Sequence, residues 1–202
     1  MTIVRPHLLL ALALGMIASG LSTGFVFADE GHDHEAMKAE QKIADTLATL
    51  SPADRPQAEA QRFCAMMTYK RLGAMGTPIK LVVAGKPVFV CCKGCISGAT
   101  KGGQETLKTA EKLKVASAAL AKLPAKERAA AEAQKYCAIA SNNFLGSMGV
   151  PVKMDFAGKP VYLCCKGCAG KAQANPAATL AKVEELKKAG KGTGHDHGDH
   201  QH

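Results

Sequence analysis

Short runs of strand-like apolar character occur along the chain, and each occurs twice. Ile79-Lys80-Leu81-Val82-Val83 and Val88-Phe89-Val90 are rich in β-branched and aromatic residues and flank Ala84-Gly85-Lys86-Pro87. They predict a β-hairpin with Pro87 at the entrance of its second strand, where a missing N–H is tolerated. Val152-Lys153-Met154-Asp155-Phe156 repeats the alternation ahead of Val161-Tyr162-Leu163. Ala/Glu/Gln/Lys-rich stretches upstream of each hairpin predict helices, entered near Ser51-Pro52 and Pro124. The loop around Gly73, Gly76 and Pro78 ends the first of them. Further helices are predicted over residues 105–123 and 177–189. In the first, Leu113, Ala116, Leu120 and Leu123 keep one apolar stripe up to the break at Pro124.

The repetition has a period of 73 residues and needs no insertion or deletion. Ala58-Glu59-Ala60-Gln61-Arg62-Phe63-Cys64 returns as Ala131-Glu132-Ala133-Gln134-Lys135-Tyr136-Cys137. Leu72-Gly73-Ala74-Met75-Gly76 returns as Leu145-Gly146-Ser147-Met148-Gly149. The expected fold is α+β, with two tandem small modules over residues 44–116 and 117–189 joined by a helix. A leader over residues 29–43 and a tail over residues 190–202 flank them. Both are polar and Gly-containing, and they are expected to be mobile. A module of this size buries little and calls for disulfides, metals or a partner.

A third apolar run lies at the start. Arg5 and His7 precede an uncharged stretch over residues 8–18, followed by Val26-Phe27-Ala28 and then Asp29-Glu30. This reads as a secretory signal peptide over residues 1–28 cut after Ala28, giving a secreted or periplasmic protein with no stable membrane insertion after cleavage. An uncleaved anchor is the alternative, and Gly15, Gly20, Ser22 and Gly24 weigh against it. The formal charge of +9 comes mostly from Lys on helical segments, there is no Trp, and aromatics are 4% of residues. Without a stacking platform, nucleic-acid binding is not expected.

The chemistry lies in the eight cysteines, all of which the repeat accounts for. Cys91-Cys92-Lys93-Gly94-Cys95 follows the first hairpin, Cys164-Cys165-Lys166-Gly167-Cys168 the second, and Cys64 or Cys137 stands alone upstream. Gly94 is expected to give a tight turn that returns Cys95 beside Cys91 or Cys92. Backbone N–H groups at the following helix start, with Lys93 nearby, favour thiolate, the form that ligates metal. Distant cysteines brought to a turn and a helix are how small zinc folds are built.

Residues 60–100 and 133–173 resemble the TRASH and YHS group of heavy-metal-binding modules. Cys64, Cys91 and Cys95, like Cys137, Cys164 and Cys168, match that group's early cysteine followed by an aromatic-bearing strand with cysteines four positions apart. Phe89 and Tyr162 are the strand aromatics, and Cys92 and Cys165 are additional to the pattern. The resemblance implies a treble-clef-like fold and a role in sensing, trafficking or resistance for metals such as copper or zinc.

Three or four thiolates select Cu(I) or Zn(II), one ion per module, over harder cations. Met66, Met67, Met75, Met148 and Met154 are candidate thioether donors, although core filling is the commoner use of Met. Only Met75 and Met148 occupy equivalent positions in both modules. His32, His34, His195, His197, His200 and His202 form a second, weaker metal-capturing set in the flanking segments. The reading is an exported metal-binding protein, not an enzyme, that sequesters ions or delivers them to a metal exporter or metallochaperone. Two alternatives stay open. One is a disulfide-stapled secreted module, with Cys91–Cys95 or Cys92–Cys95 paired and Cys64 taking the remaining sulfur. The other is a thiol–disulfide oxidoreductase using Cys92-Lys93-Gly94-Cys95, for which no βαβ scaffold is evident.

Overall fold

The β-prone runs pair as two hairpins in the computed structural model, which describes residues 31–191. β1 (Ile79–Val83) pairs antiparallel with β2 (Lys86–Val90), and β3 (Val152–Phe156) pairs in the same register with β4 (Lys159–Leu163). Each turn is only two residues, Ala84-Gly85 and Ala157-Gly158, so Pro87 lies inside β2 opposite Val82. Counting from that turn, Pro87, Phe89 and then Cys91 direct their backbone polar groups away from β1. Pro87 therefore costs no ladder bond, and Phe89 and Cys91 are left with groups to satisfy elsewhere.

Six helices accompany the hairpins among the described residues: α1 (Gly31–Ala48), α2 (Arg55–Gln61), α3 (Gly94–Leu120), α4 (Ala125–Gln134), α5 (Ala169–Ala174) and α6 (Pro176–Lys191). The fold class is α+β, with one hairpin beside each cysteine cluster. Two expectations need correction. The polar leader is helical from Gly31, because its strong helix formers continue into Ile43 and Leu47, which are buried against the first module. The helix after the first cluster begins at Gly94, not at residue 105. It kinks at Gly103 (φ 47°, ψ −118°), a conformation open mainly to glycine. The second module has Pro176 at that position, and its helix is broken there into α5 and α6 after a 3₁₀ turn over Lys166–Cys168. The signal segment over residues 1–28 and the tail histidines lie outside the described residues.

The kink divides the work of α3. Leu107 and Ala110 pack on Ala65, Val83 and Val88 of the first module. Beyond them, Leu120 enters the core of the second module, while Leu113 and Ala116 pack with Phe63 and Phe144 between the two. At the 73-residue offset, Ala116 and Leu120 correspond to Ile43 and Leu47 of α1. Each hairpin is thus held between an entering and a leaving helix, and α3 serves both modules, which makes up for the small size of each. The boundary between residues 116 and 117 falls within this shared helix.

The modules also touch directly through equivalent residues. Arg62 donates two hydrogen bonds to Glu132, at 2.6 and 3.0 Å. The Lys135 ammonium sits 3.0 Å from the centre of the Phe63 ring, and its burial holds its pKa well below the usual lysine range. Tyr136 stacks on Phe144 at 4.8 Å and shares a 2.8 Å hydrogen bond with Thr68.

Gly73 and Gly146 set the approach of the entering helices. Gly146 has φ +93°, and a Cβ there would lie 2.5 Å from the Ala116 carbonyl oxygen. Gly146→Ala is expected to cost about 2–4 kcal/mol, from the left-handed backbone and the displaced α3 together. Urea denaturation of the two proteins measures this directly.

Candidate metal centre

Three chain segments build each centre. α2 ends in a tight γ-turn in which the Phe63 N–H donates to the Gln61 carbonyl at 2.7 Å across Arg62 (φ 63°, ψ −37°). This strained turn is rare, and Lys135 makes it in the second module with φ 67°. It swings Cys64 under the hairpin, where the loop closes through Cys64 N–H to Lys70 O (2.9 Å) and Lys70 N–H to Met67 O (2.7 Å). The second segment is the end of β2, which carries Cys91. The third is the first turn of α3, where Cys95 N–H donates to Cys92 O at 3.1 Å. That helical turn alone returns Cys95 beside Cys91. Gly94 starts the helix, and the tight turn expected of it is that first helical turn.

The sulfurs of Cys64, Cys91 and Cys95 all lie within 4.8 Å of one another and are buried, and so are those of Cys137, Cys164 and Cys168. Cys95 Sγ is 3.8 Å from Cys64 Sγ and 3.8 Å from Cys91 Sγ; Cys168 Sγ is 3.8 Å from both Cys137 Sγ and Cys164 Sγ. A tetrahedral ion with metal–sulfur bonds of about 2.3 Å separates its ligands by about 3.8 Å. A disulfide would need about 2.0 Å. All eight cysteines are free thiols in this arrangement. Each triad can hold a metal ion. Cys92 and Cys165 are half-buried at the rim, with sulfurs 3.7 and 4.0 Å from Cys95 and Cys168 and outside both triads.

One sulfur of each triad receives backbone N–H groups. Cys64 Sγ accepts N–H bonds from Met67 and Cys91, both at 3.4 Å, and the first uses the outward-facing edge of the loop while the second uses that of β2. Ala140 N–H donates to Cys137 Sγ at the same distance. Although burial opposes it, N–H groups of Cys164, Ala140 and Ile139 hold the Cys137 thiol below its ordinary pKa. The other sulfurs behave oppositely. Burial, then the charge on Cys64, pushes Cys91 far up and Cys95 up to about 12. Burial, then hydrogen bonding with Cys137, raises Cys164 and Cys168. Cys165 is lowered chiefly by the Gly167 N–H, and Cys92 by hydrogen bonds from Cys95 against its burial.

At neutral pH two thiols of each triad therefore keep their protons until an ion displaces them. Loading should release at least about two protons per centre, so log K should rise by about two or more for each pH unit between pH 6 and 8. Calorimetric titration in two buffers of different protonation enthalpy counts the released protons.

The remaining candidates divide. Met75 and Met148 are 53% and 59% exposed on the glycine loops. The thioether beside a cysteine is that of Met67, 3.9 Å from Cys91 Sγ. His34 is exposed on α1, and the side chain of His32 lies outside the described residues. His195, His197, His200 and His202 lie outside the described residues. Sequence reasoning missed Gln61 and Gln134, both fully buried. Gln61 donates to Phe63 O (2.9 Å) and Phe89 O (2.6 Å) and accepts from Phe89 N–H (2.9 Å). Gln134 repeats all three bonds at Tyr136 and Tyr162. The signal was the unchanged Gln three residues before the lone cysteine in both copies. Comparisons of the chain with protein-family models, curated proteins and solved structures give no significant match.

Proposed function

We propose that this is an exported binding protein for soft metal ions, Cu(I) foremost and Zn(II) second, holding one ion per module for sequestration or for delivery to an exporter or metallochaperone. The observation that carries the reading is the sulfur spacing: two buried triads whose sulfurs all lie within 4.8 Å of one another, with two edges of each at 3.8 Å, the separation that ligands of one thiophilic ion adopt. The resemblance of Cys64, Cys91, Cys95 and their copies to TRASH and YHS modules supports the same role. The apolar start over residues 1–28 supports export, and the tail histidines would gather ions near the centres. The half-buried Cys92 and Cys165 give an incoming chelator a sulfur to approach first. Nothing in this chemistry requires turnover, so the protein acts by binding rather than as an enzyme.

The test is metal content and thiol titration on one sample of native protein recovered from the periplasm. About two equivalents of copper or zinc with all thiols reduced is the expected result. No metal and no free thiols, with a mass eight hydrogens lower, would replace this reading with the disulfide-stapled module.

A further inference from the structure

The two centres share a backbone but not a ligand set. Met67 and Ala140 are equivalent at the 73-residue offset, and both donate their N–H to the lone cysteine at 3.4 Å. That position, three residues after the first cysteine, is where a paired-cysteine zinc loop would place its second thiolate. In the first module a thioether stands there instead. Its sulfur lies 3.9 Å from Cys91 Sγ, whereas the rim thiols at 3.7 and 4.0 Å from Cys95 and Cys168 occur in both modules and do not distinguish them. In the second module the side chain ends at a methyl group. Met66, the adjacent thioether, turns elsewhere, with its sulfur 3.9 Å from the Thr106 hydroxyl and its methyl group against Gly98.

We infer that the centres are chemically unequal: Met67 is the fourth ligand of the first, making it a thiolate–thioether site for a soft monovalent ion, whereas the second is a three-thiolate site without that bias. This rests on the metal-binding reading above and goes beyond it. A thioether is neutral and polarisable, so it strengthens binding of Cu(I) or Ag(I) and adds little for Zn(II), which favours thiolate, imidazole or carboxylate. Cu(I) should then fill the first module before the second, while Zn(II) shows no such order from this residue.

The test isolates each centre in the full-length chain, using Cys168→Ser to leave the first and Cys95→Ser to leave the second. Cu(I) and Zn(II) affinities are read by competition with chromophoric chelators. In the Cys168→Ser protein, Met67→Leu should weaken Cu(I) about tenfold and leave Zn(II) within about threefold. In the Cys95→Ser protein, Ala140→Met should strengthen Cu(I). Selenomethionine-labelled Cys168→Ser protein loaded with Cu(I) should show copper–selenium scattering in X-ray absorption, and Met67→Leu should abolish it. Unchanged Cu(I) affinity in Met67→Leu, an equal loss for both ions, or no copper–selenium path would overturn the inference while leaving both centres as metal sites. If neither single-centre protein binds either ion, the functional reading fails and takes this inference with it.

Discussion

Cys95→Ser is expected to abolish high-affinity loading of the first centre and leave the second intact, so that copper stoichiometry falls from about two to about one. Cys95 is the sulfur the others gather around, at 3.8 Å from Cys64, 3.8 Å from Cys91 and 3.7 Å from Cys92. A serine hydroxyl is harder and does not ionise at neutral pH, so two thiolates would remain where three acted together. Altering outer-shell groups already costs 10–100-fold, so loss of a direct ligand should exceed about a hundredfold. Cys168→Ser should mirror this, and the double variant should bind neither ion tightly. Cys92→Ser is the informative contrast. Its sulfur lies outside the triad, so equilibrium affinity should change by less than about tenfold, while removal of the ion by a competing chelator slows. Equilibrium and stopped-flow chelator competition on the four proteins would establish the ranking.

Much of this architecture was legible in the chain because the duplication is free of gaps. An uninterrupted repeat fixes which cysteines are equivalent, and β-branched runs around Ala84-Gly85 admit few alternatives to a hairpin. The start of α3 was hidden for a physical reason. Gly94, Gly98, Gly102 and Gly103 lower helix propensity across its first turns, and only tertiary packing, with Ala99 and Cys95 buried against the hairpin, holds them helical. α1 was hidden by the opposite shortage: among its described side chains only Ile43 and Leu47 are buried, too few in a polar sequence to register as a stripe.

Symmetry drew attention to a pair of exposed thioethers. Searching for a Met present in both modules selected Met75 and Met148, which the glycine loops turn outward. The thioether that reaches a thiol occurs in one copy only. Gln61 and Gln134, present in both copies, make the same three bonds in each, whereas the contact of Met67 with Cys91 has no counterpart at Ala140.

Gln134→Leu should therefore be the most damaging substitution away from the cysteines. A two-stranded hairpin leaves one edge of β4 open, and Gln134 closes it with the amide geometry a third strand would supply. Its Oε1 accepts from Tyr162 N–H at 2.9 Å, while its Nε2 donates to Tyr162 O at 2.6 Å and to Tyr136 O at 2.9 Å. Tyr136 directly precedes Cys137 and Tyr162 lies two residues before Cys164, so these bonds help set the separation of two candidate ligands. Leucine fills the volume and satisfies none of the three groups. Because Tyr162 is itself buried, each group left without a partner costs about 1–3 kcal/mol, for a total of about 3–9 kcal/mol. Against a domain stability of about 5–15 kcal/mol, this is enough to unfold the second module locally without metal. Gln134→Glu keeps the shape and one acceptor but loses the donor, and should fall between the two. Hydrogen exchange on the apo proteins should show protection lost in β3 and β4 and retained in β1 and β2. Added metal should restore much of it, because the ion holds Cys137 against Cys164 and rebuilds the separation that the glutamine maintained.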